Sequence, residues 1–381
     1  MSEIWGYRRP DGTFGIRNHV AILSVMDNIN PIVRQAASLV QGSIPLACGF
    51  GRGERGKDGA QQVNTRIGLA SNPNVYGVVI VSLEPESAGI IAQAVAKTGK
   101  PVEVIAIEEV GGTVKATEQA IRTATTMVAD SGRLRREVMN WSDLILGVEC
   151  GGSDGSSGLV SNPATGLVAD RVVASGGTAV LSETVEIIGG ENILAKRAES
   201  TEVADAFMEV INSTLRMVKA RGIDLYNLVP DNIAGGLSTP EEKSLGAIKK
   251  GGTGVLRQVL SYGERPSKKG LVFMDAPAPG VENMTALAAG GAQIIIFSTG
   301  KGNTIGNPVA PTIKVSGNPG TIKKLADNID VDLSGVLMNG MSLEDAGHLL
   351  GDELINVCNG KLTRAEILGQ VEIAISRVLG I

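Results

Sequence analysis

The stretch DLILGVECGGSDGSSG, residues 143–158, passes from an apolar run directly into a loop of glycine, hydroxyl and acidic residues. The run at 144–148 has the length and composition of a buried strand. The glycines that follow allow sharp turns and let the backbone approach a ligand closely. A strand followed by such a loop is typical of open α/β sheets, which hold ligands beyond the carboxyl ends of their strands.

The same pattern recurs along the chain, which has 50 glycines in 381 residues. Short runs rich in Val, Ile and Leu predict strands at 19–25, 75–83, 101–107, 143–149, 177–183, 270–276 and 292–299. Apolar residues spaced by three and four predict helices at 29–40, 86–99 and 112–139. Strands alternating with helices favour mainly parallel sheets covered on both faces, so the predicted class is α/β.

The length favours two α/β domains rather than one. We place the boundary near residue 140, where the long helix is predicted to end and a new strand to start at 141–143. Residues 1–140 would form a small flavodoxin-like or Rossmann-like domain, and residues 141–381 a larger one. The larger domain is predicted to end in an amphipathic helix over 362–380.

Composition excludes several classes of protein. The net charge is -5 and aromatic residues are 3% of the chain, so neither a basic face nor stacking residues point to nucleic acid. No apolar run approaches 18 residues, which predicts no membrane span. The cysteines Cys48, Cys150 and Cys358 lie far apart and the N-terminus lacks an apolar signal segment, so a cytoplasmic protein without disulfides is expected.

Two familiar site patterns fail. The glycine-rich segment 49–56 lacks the spacing of a dinucleotide-binding loop and the GK[ST] of a phosphate loop. The serines of 153–157 do not stand in GxSxG, and the chain has only two histidines to serve as a base, so a serine hydrolase is disfavoured.

Three loops at predicted strand ends mix hydroxyl, acidic or amide groups with glycine: 149–154, 182–186 and 299–304. They would either converge on one pocket or be three unrelated solvent turns, and both readings are open. Carboxylates there suit a hard divalent cation or a proton transfer.

Two further segments carry candidate residues. Arg17 could clamp a carboxylate, Asn18 could bond a hydroxyl, and His19 could ligate a metal or move a proton, although a lone histidine at a strand edge is more often structural. Thr239 is predicted to cap a helix, which leaves Lys243 available as a base or carboxylate partner.

The candidate residues fall into three groups. The catalytic candidates are His19, Glu149, Asp154 and Lys243. The substrate-binding candidates are Arg17, Asn18, Ser153, Asn162, Ser182, Thr299, Lys301, Thr304 and Lys314. The candidate metal ligands are Cys150, Glu183 and Glu186.

Several long blocks resemble one known family. GYRRPDGTFGIRNHV, ECGGSDGSSGLVSNPATG, LSETVEIIG, AGGLSTPEEKSLGAIKKGG, MDAP, STGKGNTIGNPVAPTIKV and DNIDVDLSG match, in order, blocks of the altronate and galactarate dehydratase family. Within that family the chain is most similar to the large (beta) subunit type of the sulfolactate sulfo-lyase branch. The resemblance covers nearly the whole chain.

The resemblance implies a lyase that removes water, or sulfite from sulfolactate, from a small hydroxy or sugar acid. It also implies a divalent metal, Fe²⁺ or Mg²⁺. The family's dehydratases carry an additional small SAF-type domain, whereas the sulfo-lyase type is expected to have it as a separate subunit. The resemblance therefore implies a small SAF-domain subunit as the partner, and a homo-oligomer is also expected.

The chain departs from the family pattern in its first domain. Stretches that contain cysteine in relatives read SVMDNIN (24–30) and SLEPESAG (82–89) here, and Cys48 alone is retained. This favours a changed substrate or changed first-domain chemistry. It also keeps open a non-catalytic paralogue that binds an acid or scaffolds a partner.

Overall fold

The computed structural model describes residues 2–51, 53–223, 228 and 230–377. Its strands are β1 (Ile4–Arg8), β2 (Phe14–Gly15), β3 (His19–Ser24), β4 (Ser43–Leu46), β5 (Val75–Ser82), β6 (Val102–Ala106), β7 (Glu137–Met139), β8 (Ile145–Cys150), β9 (Thr178–Leu181), β10 (Leu256–Leu260), β11 (Gly270–Met274), β12 (Ile294–Ser298), β13 (Thr312–Ser316) and β14 (Val331–Asp332).

The α-helices are α1 (Asn30–Leu39), α2 (Gly56–Ser71), α3 (Pro85–Ala96), α4 (Ile107–Val110), α5 (Thr113–Ser131), α6 (Asn162–Ala174), α7 (Thr184–Ile187), α8 (Glu191–Ala195), α9 (Thr201–Ala220), α10 (Pro230–Ala234), α11 (Pro240–Ile248), α12 (Gly280–Ala289), α13 (Pro319–Lys324), α14 (Gly335–Met338), α15 (Leu343–Cys358) and α16 (Arg364–Ile367). Short 3₁₀ turns occur at Asp27–Ile29, Trp141–Asp143 and Lys249–Gly251, and a π-helical turn occurs at Ser157–Ser161.

Two parallel sheets confirm the predicted α/β class. The first has four strands in the order β4-β3-β5-β6, and the second has seven in the order β10-β11-β9-β8-β12-β13-β14. A small antiparallel sheet, β2-β1-β7, lies beside them. The inner strands of both parallel sheets, such as β3, β5, β8 and β12, are almost wholly buried, as expected when helices cover both faces.

Each parallel sheet has one place where the strand order reverses direction. In the first sheet the reversal lies between β3 and β5, and in the second it lies between β8 and β12. A crevice opens beyond the carboxyl ends of two strands at such a point, because the connections leave in opposite directions. These two crevices are the places where the fold favours a ligand.

All seven predicted strands form, and so do the predicted helices at 29–40 and 86–99. Thr239 caps α11 as predicted, since its hydroxyl accepts a 3.1 Å hydrogen bond from the N–H of Glu242. The sequence reasoning missed the short or partly exposed strands β1, β2, β4, β7, β10 and β14. It also missed β13, which is fully buried but reads TIKVS and so is not an apolar run.

Three local predictions are wrong. The helix predicted over 112–139 ends at Ser131, because Glu137–Met139 pairs as β7 with β1. The strand predicted at 141–143 is a 3₁₀ turn, and β8 begins at Ile145.

The third error concerns the predicted tail helix. It is helical over Arg364–Ile367, and the described residues beyond Gly369, which has a φ of 64°, have no regular structure. Residues 378–380 of the predicted helix lie outside the described residues.

The tail instead crosses from one sheet layer to the other. Gln61 of α2 donates a 2.8 Å hydrogen bond to the carbonyl of Ser376, and the Ser376 hydroxyl donates to Glu282 of α12. Residues 371–377, which we call the tail strap, therefore bind α2 to α12. No helix within the described ranges is long and apolar enough to span a membrane.

Candidate active site

The ends of β8 and β9 bring two acidic side chains and a thiol together. Glu149 and Glu183 are fully buried, and Cys150 is 5% exposed. The backbone N–H of Cys150 donates a 3.1 Å hydrogen bond to Glu183 Oε2, and its thiol lies 3.5 Å from Glu183 Oε1. Parallel neighbouring strands end at the same edge of a sheet, which explains why residues 33 positions apart meet here.

Lys250 completes this buried cluster. It lies in the turn Lys249–Gly251 after α11, is fully buried, and forms an ion pair with Glu183. Burial works against the charged amine, but the neighbouring Cys150, Glu183 and Glu149 groups outweigh it and raise the pKa of Lys250 above the usual lysine value. The ammonium is therefore charged at neutral pH.

Sequence reasoning missed Lys250. The residue stands in the quoted block GAIKKGG, but a Lys-Lys pair next to glycines has the composition of a solvated turn. Only the fold shows that the first lysine of the pair is exposed and the second points inward.

Glu149 is the most isolated member of the cluster. Neither of its carboxyl oxygens has a hydrogen-bond partner in the described part of the chain. Burial, followed by the negative charge of Glu183, raises the pKa of Glu149 well above the usual value. Burial thus favours the protonated form of Glu149, which is the form that can deliver a proton.

Glu183 is held in an unusual backbone conformation. Its φ of 67° places it in the left-handed region, which costs a residue with a Cβ about 1–2 kcal/mol. Such strain persists where the surroundings over-determine it, and it is common at functional sites. Here it directs the carboxylate towards Lys250 and the Cys150 N–H.

A second acid-base pair lies at the rim of the cluster. Lys243 Nζ is 2.7 Å from Glu186 Oε2, and the side chains are 19% and 14% exposed. The charge of Glu186 also raises the pKa of Glu149 and of Glu183. The rim pair and the buried cluster therefore interact electrostatically.

The loops after β8 and β12 are joined by backbone hydrogen bonds. Gly151 donates to Ser298 at 3.1 Å, and Gly300 and Lys301 donate to the carbonyl of Gly152 at 3.2 and 2.8 Å. The three predicted loops 149–154, 182–186 and 299–304 thus lie at one sheet edge, at the point where the strand order reverses.

Asp154 organises the loop after β8. Its Oδ1 accepts hydrogen bonds from the Ser156 hydroxyl and the Ser157 N–H, and its Oδ2 accepts one of 2.7 Å from Asn318. Asp154 is 4% exposed, so these contacts give it a structural task in holding the loop.

Four other candidates on this edge are buried. The Ser182 hydroxyl donates to Asn283, and the Thr299 hydroxyl accepts from Gly302 N–H. Ser153 Oγ lies 3.7 Å from the Cys150 thiol. The side-chain oxygen of Asn162 is buried and lacks a hydrogen-bond partner among the residues described.

Three other candidates on or beside this edge are more distant from the cluster. Lys301 and Thr304 are exposed. Lys314 Nζ donates to Ile305 O and Gln370 Oε1, and burial lowers the pKa of Lys314 to about 8.

Residues 17–19 do not join this site. The carbonyl of Asn74 accepts from the N–H of His19, and Asn74 Nδ2 donates to Gln293 O, directly before β12. The segment therefore lies at the amino ends of the strands, roughly 15–20 Å away by the length of a five- or six-residue strand.

Every N–H donor of the Arg17 guanidinium is engaged in a hydrogen bond within the protein. Its guanidinium donates to both carboxylate oxygens of Glu366 and to the carbonyls of Ile16, Val357 and Lys361. Asn18 is bonded to Arg9 and to Ser131 O. Burial, followed by the charge of Arg17, lowers the pKa of His19 to about 4.

The proposed metal ligands do not form a metal site. No group of three or more His, Cys, Asp or Glu side chains that could hold a metal ion occurs in the described residues. Glu183 is paired with Lys250, and Glu186 with Lys243, so two ammonium groups already balance the charges that a cation would meet. Burial also raises the pKa of the Cys150 thiol to about 12, and a metal ligand needs the thiolate. This donor set does not fit a divalent metal.

The comparisons with known proteins agree with these blocks. The model of the D-galactarate/altronate dehydratase C-terminal domain matches residues 141–380, and that of the D-galactarate dehydratase/altronate hydrolase second domain matches residues 6–131. The cluster and the rim pair lie in the C-terminal match.

Individual relatives match over almost the whole chain. The (2R)-sulfolactate sulfo-lyase subunit beta of Chromohalobacter salexigens is 38% identical over 98% of this chain and 97% of its own length. Altronate dehydratase of Escherichia coli is 31% identical over 95% of this chain and 75% of its own length. Galactarate dehydratase (L-threo-forming) of the same organism is 28% identical over 93% and 72%. The chain therefore belongs to the D-galactarate/altronate dehydratase family.

Proposed function

We propose that this protein is a lyase that removes water or sulfite from a small hydroxy acid at the edge formed by β8, β9 and β12. The observation that carries the proposal is the buried cluster of Glu149, Cys150, Glu183 and Lys250 at the place where an α/β sheet favours a ligand. The relatives named as dehydratases and as a sulfo-lyase subunit support the reaction class.

The chemistry of elimination explains why such a cluster is useful. Removing a proton beside a carboxylate needs an acceptor, for which the rim carboxylate of Glu186 is our candidate, and it builds negative charge that a nearby cation must offset. Lys243 at the rim is our candidate contact for the substrate carboxylate, and Lys250 balances the charge of Glu183 inside the cluster. Hydroxide is a poor leaving group that needs a proton, and Glu149 is our candidate donor.

Two leaving groups are supported by different observations. The altronate and galactarate dehydratases among the relatives favour water. The 38% identity to a sulfolactate sulfo-lyase subunit over nearly its full length favours sulfite. Sulfite leaves without a proton but needs cationic contacts, for which Lys243 and Lys301 are candidates.

The printed name of that relative, subunit beta, supports a partner subunit for this chain. We propose that a small subunit, which the family resemblance predicts to be of the SAF type, completes the active site. A homo-oligomer and a cytoplasmic location remain predictions. Dependence on Fe²⁺ or Mg²⁺ also remains a prediction, tested by metal analysis of the purified protein and by turnover before and after chelation.

One assay separates the candidate reactions. The chain, with and without its small subunit, is incubated with D-altronate, galactarate and (2R)-sulfolactate, while 2-oxo acid and sulfite are measured in parallel. A dehydratase forms 2-oxo acid without sulfite, whereas a sulfo-lyase forms both from sulfolactate.

The matched variants are Glu149→Gln, which keeps the shape of the side chain, and Glu103→Gln on the exposed face of β6. We expect Glu149→Gln to lower kcat by about 10²–10⁴ and Glu103→Gln to match the wild type. Absence of both products under all conditions would instead support a non-catalytic scaffold.

A further inference from the structure

The first sheet has a cavity of its own at the point where its strand order reverses. The cavity has a volume of about 420 Å³ and lies beyond the carboxyl ends of β3 and β5, between α2 and α3. Val25, Glu54, Gly59, Arg66, Ile90 and Ile91 are among its lining residues. It shares no lining residue with the Glu149 cluster, and its size is within the range of small-molecule sites.

Glu54 points to a ligand in this cavity. Its side chain is 5% exposed, and neither carboxyl oxygen has a hydrogen-bond partner among the residues that the structure describes. The Arg377 guanidinium is 3.8 Å away, which is too far for a hydrogen bond. A buried polar group without a hydrogen-bond partner is destabilising, so a bound donor would relieve that penalty.

Arg66 fixes the charge balance of the site. It is 1% exposed and donates to five uncharged oxygens, which are the carbonyls of Ser24, Gly49, Phe50 and Gln62 and the side-chain oxygen of Gln62. Its donors are used, but its charge still acts on Glu54, whose pKa burial raises and Arg66 lowers. Arg377 and Asp58 also act on Glu54, so two acidic groups and two guanidinium groups leave the cavity close to neutral.

We propose that this cavity binds a neutral polyhydroxylated molecule, such as a sugar or sugar glycoside, through a vicinal diol that donates two hydrogen bonds to Glu54. An ionised carboxylate is an acceptor with two oxygens, which matches two adjacent hydroxyl groups. Acidic residues bind ribose hydroxyls in this way near the switch points of other α/β sheets. Ile90 and Ile91 offer an apolar wall for the C–H face of a sugar ring.

The charges argue against the other simple occupants. An ammonium or metal cation would meet the buried charge of Arg66. An anion would meet the carboxylate of Glu54, while the Arg66 donors that could bind it are already engaged. The remaining alternative is water alone, which the experiment must distinguish.

The test is saturation-transfer NMR titration of the full chain with methyl β-D-ribofuranoside and with methyl 2-deoxy-β-D-ribofuranoside. The two probes share a locked ring, but only the first has a vicinal diol. We expect saturable binding of the first probe and about tenfold or greater weakening for the second, since a hydrogen bond to a charged group contributes about 1.5–3 kcal/mol.

Three variants locate the binding. Glu54→Gln should weaken the ribofuranoside about tenfold or more, and Ala60→Phe, at an exposed position of α2 on the cavity wall, should abolish binding by filling the space. Glu149→Gln should bind as the wild type does. Because Ala60→Phe and the two probes do not alter Glu54, the test holds even if Glu54→Gln fails to fold.

Several outcomes would overturn the proposal. Absence of saturable binding to the wild type would mean that the cavity holds water only. Equal affinity for the two probes, or unchanged affinity in Glu54→Gln, would show that the diol does not bind to Glu54. Loss of binding in Glu149→Gln would place the sugar in the other cluster. None of these results bears on the lyase assay, so the two proposals fail separately.

Discussion

At the scale of single residues, Lys250 is the cation that the buried cluster depends on. Lys250→Met leaves Glu183 and Glu149 in a dry interior without the ammonium, and we expect it to lower the free energy of unfolding by about 3–5 kcal/mol. Urea denaturation measures the change. Lys249→Met, at the exposed neighbouring position, should change stability by no more than about 0.5 kcal/mol.

A double variant tests the cause of that loss. Lys250→Met combined with Glu183→Gln removes both charges, so much of the lost stability should return. If the double variant is as unstable as the sum of the single variants, the lysine contributes packing rather than charge.

His19 offers a prediction about pH. Its pKa of about 4 lies below the unfolded value of about 6.5, so the unfolded chain binds more protons between these values. Stability is therefore full above about pH 6.5 and is lost as pH falls towards 4, by up to about 3 kcal/mol. Arg17, Arg9 and Glu366 are the charges that face the ring.

Urea denaturation of His19→Gln at pH 4.5 and 7.5 measures this effect, because the variant should lose less stability than the wild type over that interval. His348→Gln is the matched control, since His348 is 61% exposed and is the chain's other histidine. An identical pH dependence in wild type and His19→Gln would contradict the assignment.

Arg17 separates a structural role from the substrate contact predicted by sequence. Arg17→Met breaks the 2.7 Å pair with Glu366, and we expect a loss of about 3 kcal/mol in stability with an unchanged KM. Arg8→Met, which breaks an exposed pair with Glu137, should cost no more than about 1 kcal/mol. A large rise in KM for Arg17→Met, with the fold intact, would restore the substrate role.

At the scale of elements, the loop after β12 packs closely on the loop after β8, because the backbone of Gly300 lies directly against the side chain of Asp154. A Cβ at Gly300 would collide with the Asp154 carboxylate. We expect Gly300→Ala to cost about 1–3 kcal/mol and to lower turnover, because the two loops must separate. Gly89→Ala in α3 meets no atom within 4 Å and should stabilise by about 0.5–1 kcal/mol. Equal effects from the two changes would show that the loops tolerate separation.

Most of the strands predicted from sequence are buried on both faces. Strands such as β5 and β12 are covered on both faces, so they read as continuous apolar runs. Strand β7 is three residues long and half-exposed, and its partner β1 lies more than 120 residues away. Nothing local distinguishes it from the end of the preceding helix, which is why the helix prediction ran over it.

At the scale of the whole molecule, the sequence picked out the three loops but left open whether they converge, and it did not show which residues meet within them. Glu149 and Glu183 could be proposed because polar groups at strand ends share an edge of a parallel sheet. Lys250 could not, because its inward direction is set by packing of α11 against α6 and the π-helical turn. The pairing of Arg17 could not be predicted for the converse reason, since its partner Glu366 is 349 residues away.

The tail strap bears on the order in which the chain can fold during synthesis. The four strands of the first sheet have all been made by residue 106. However, the side chain of Gln61 in α2 donates a hydrogen bond to the carbonyl of Ser376, and that of Gln62 donates one to the carbonyl of Ile375. The N–H of Trp5 likewise donates a hydrogen bond to the side-chain oxygen of Asn359, more than 350 residues later in the chain. Although domains generally fold as they emerge from the ribosome, these amide groups of α2 lack their partners until residues 375 and 376 have been made. Synthesis of the tail strap is then the event that locks both layers, and a chain cut short before the strap would leave a first sheet that is formed but unlatched.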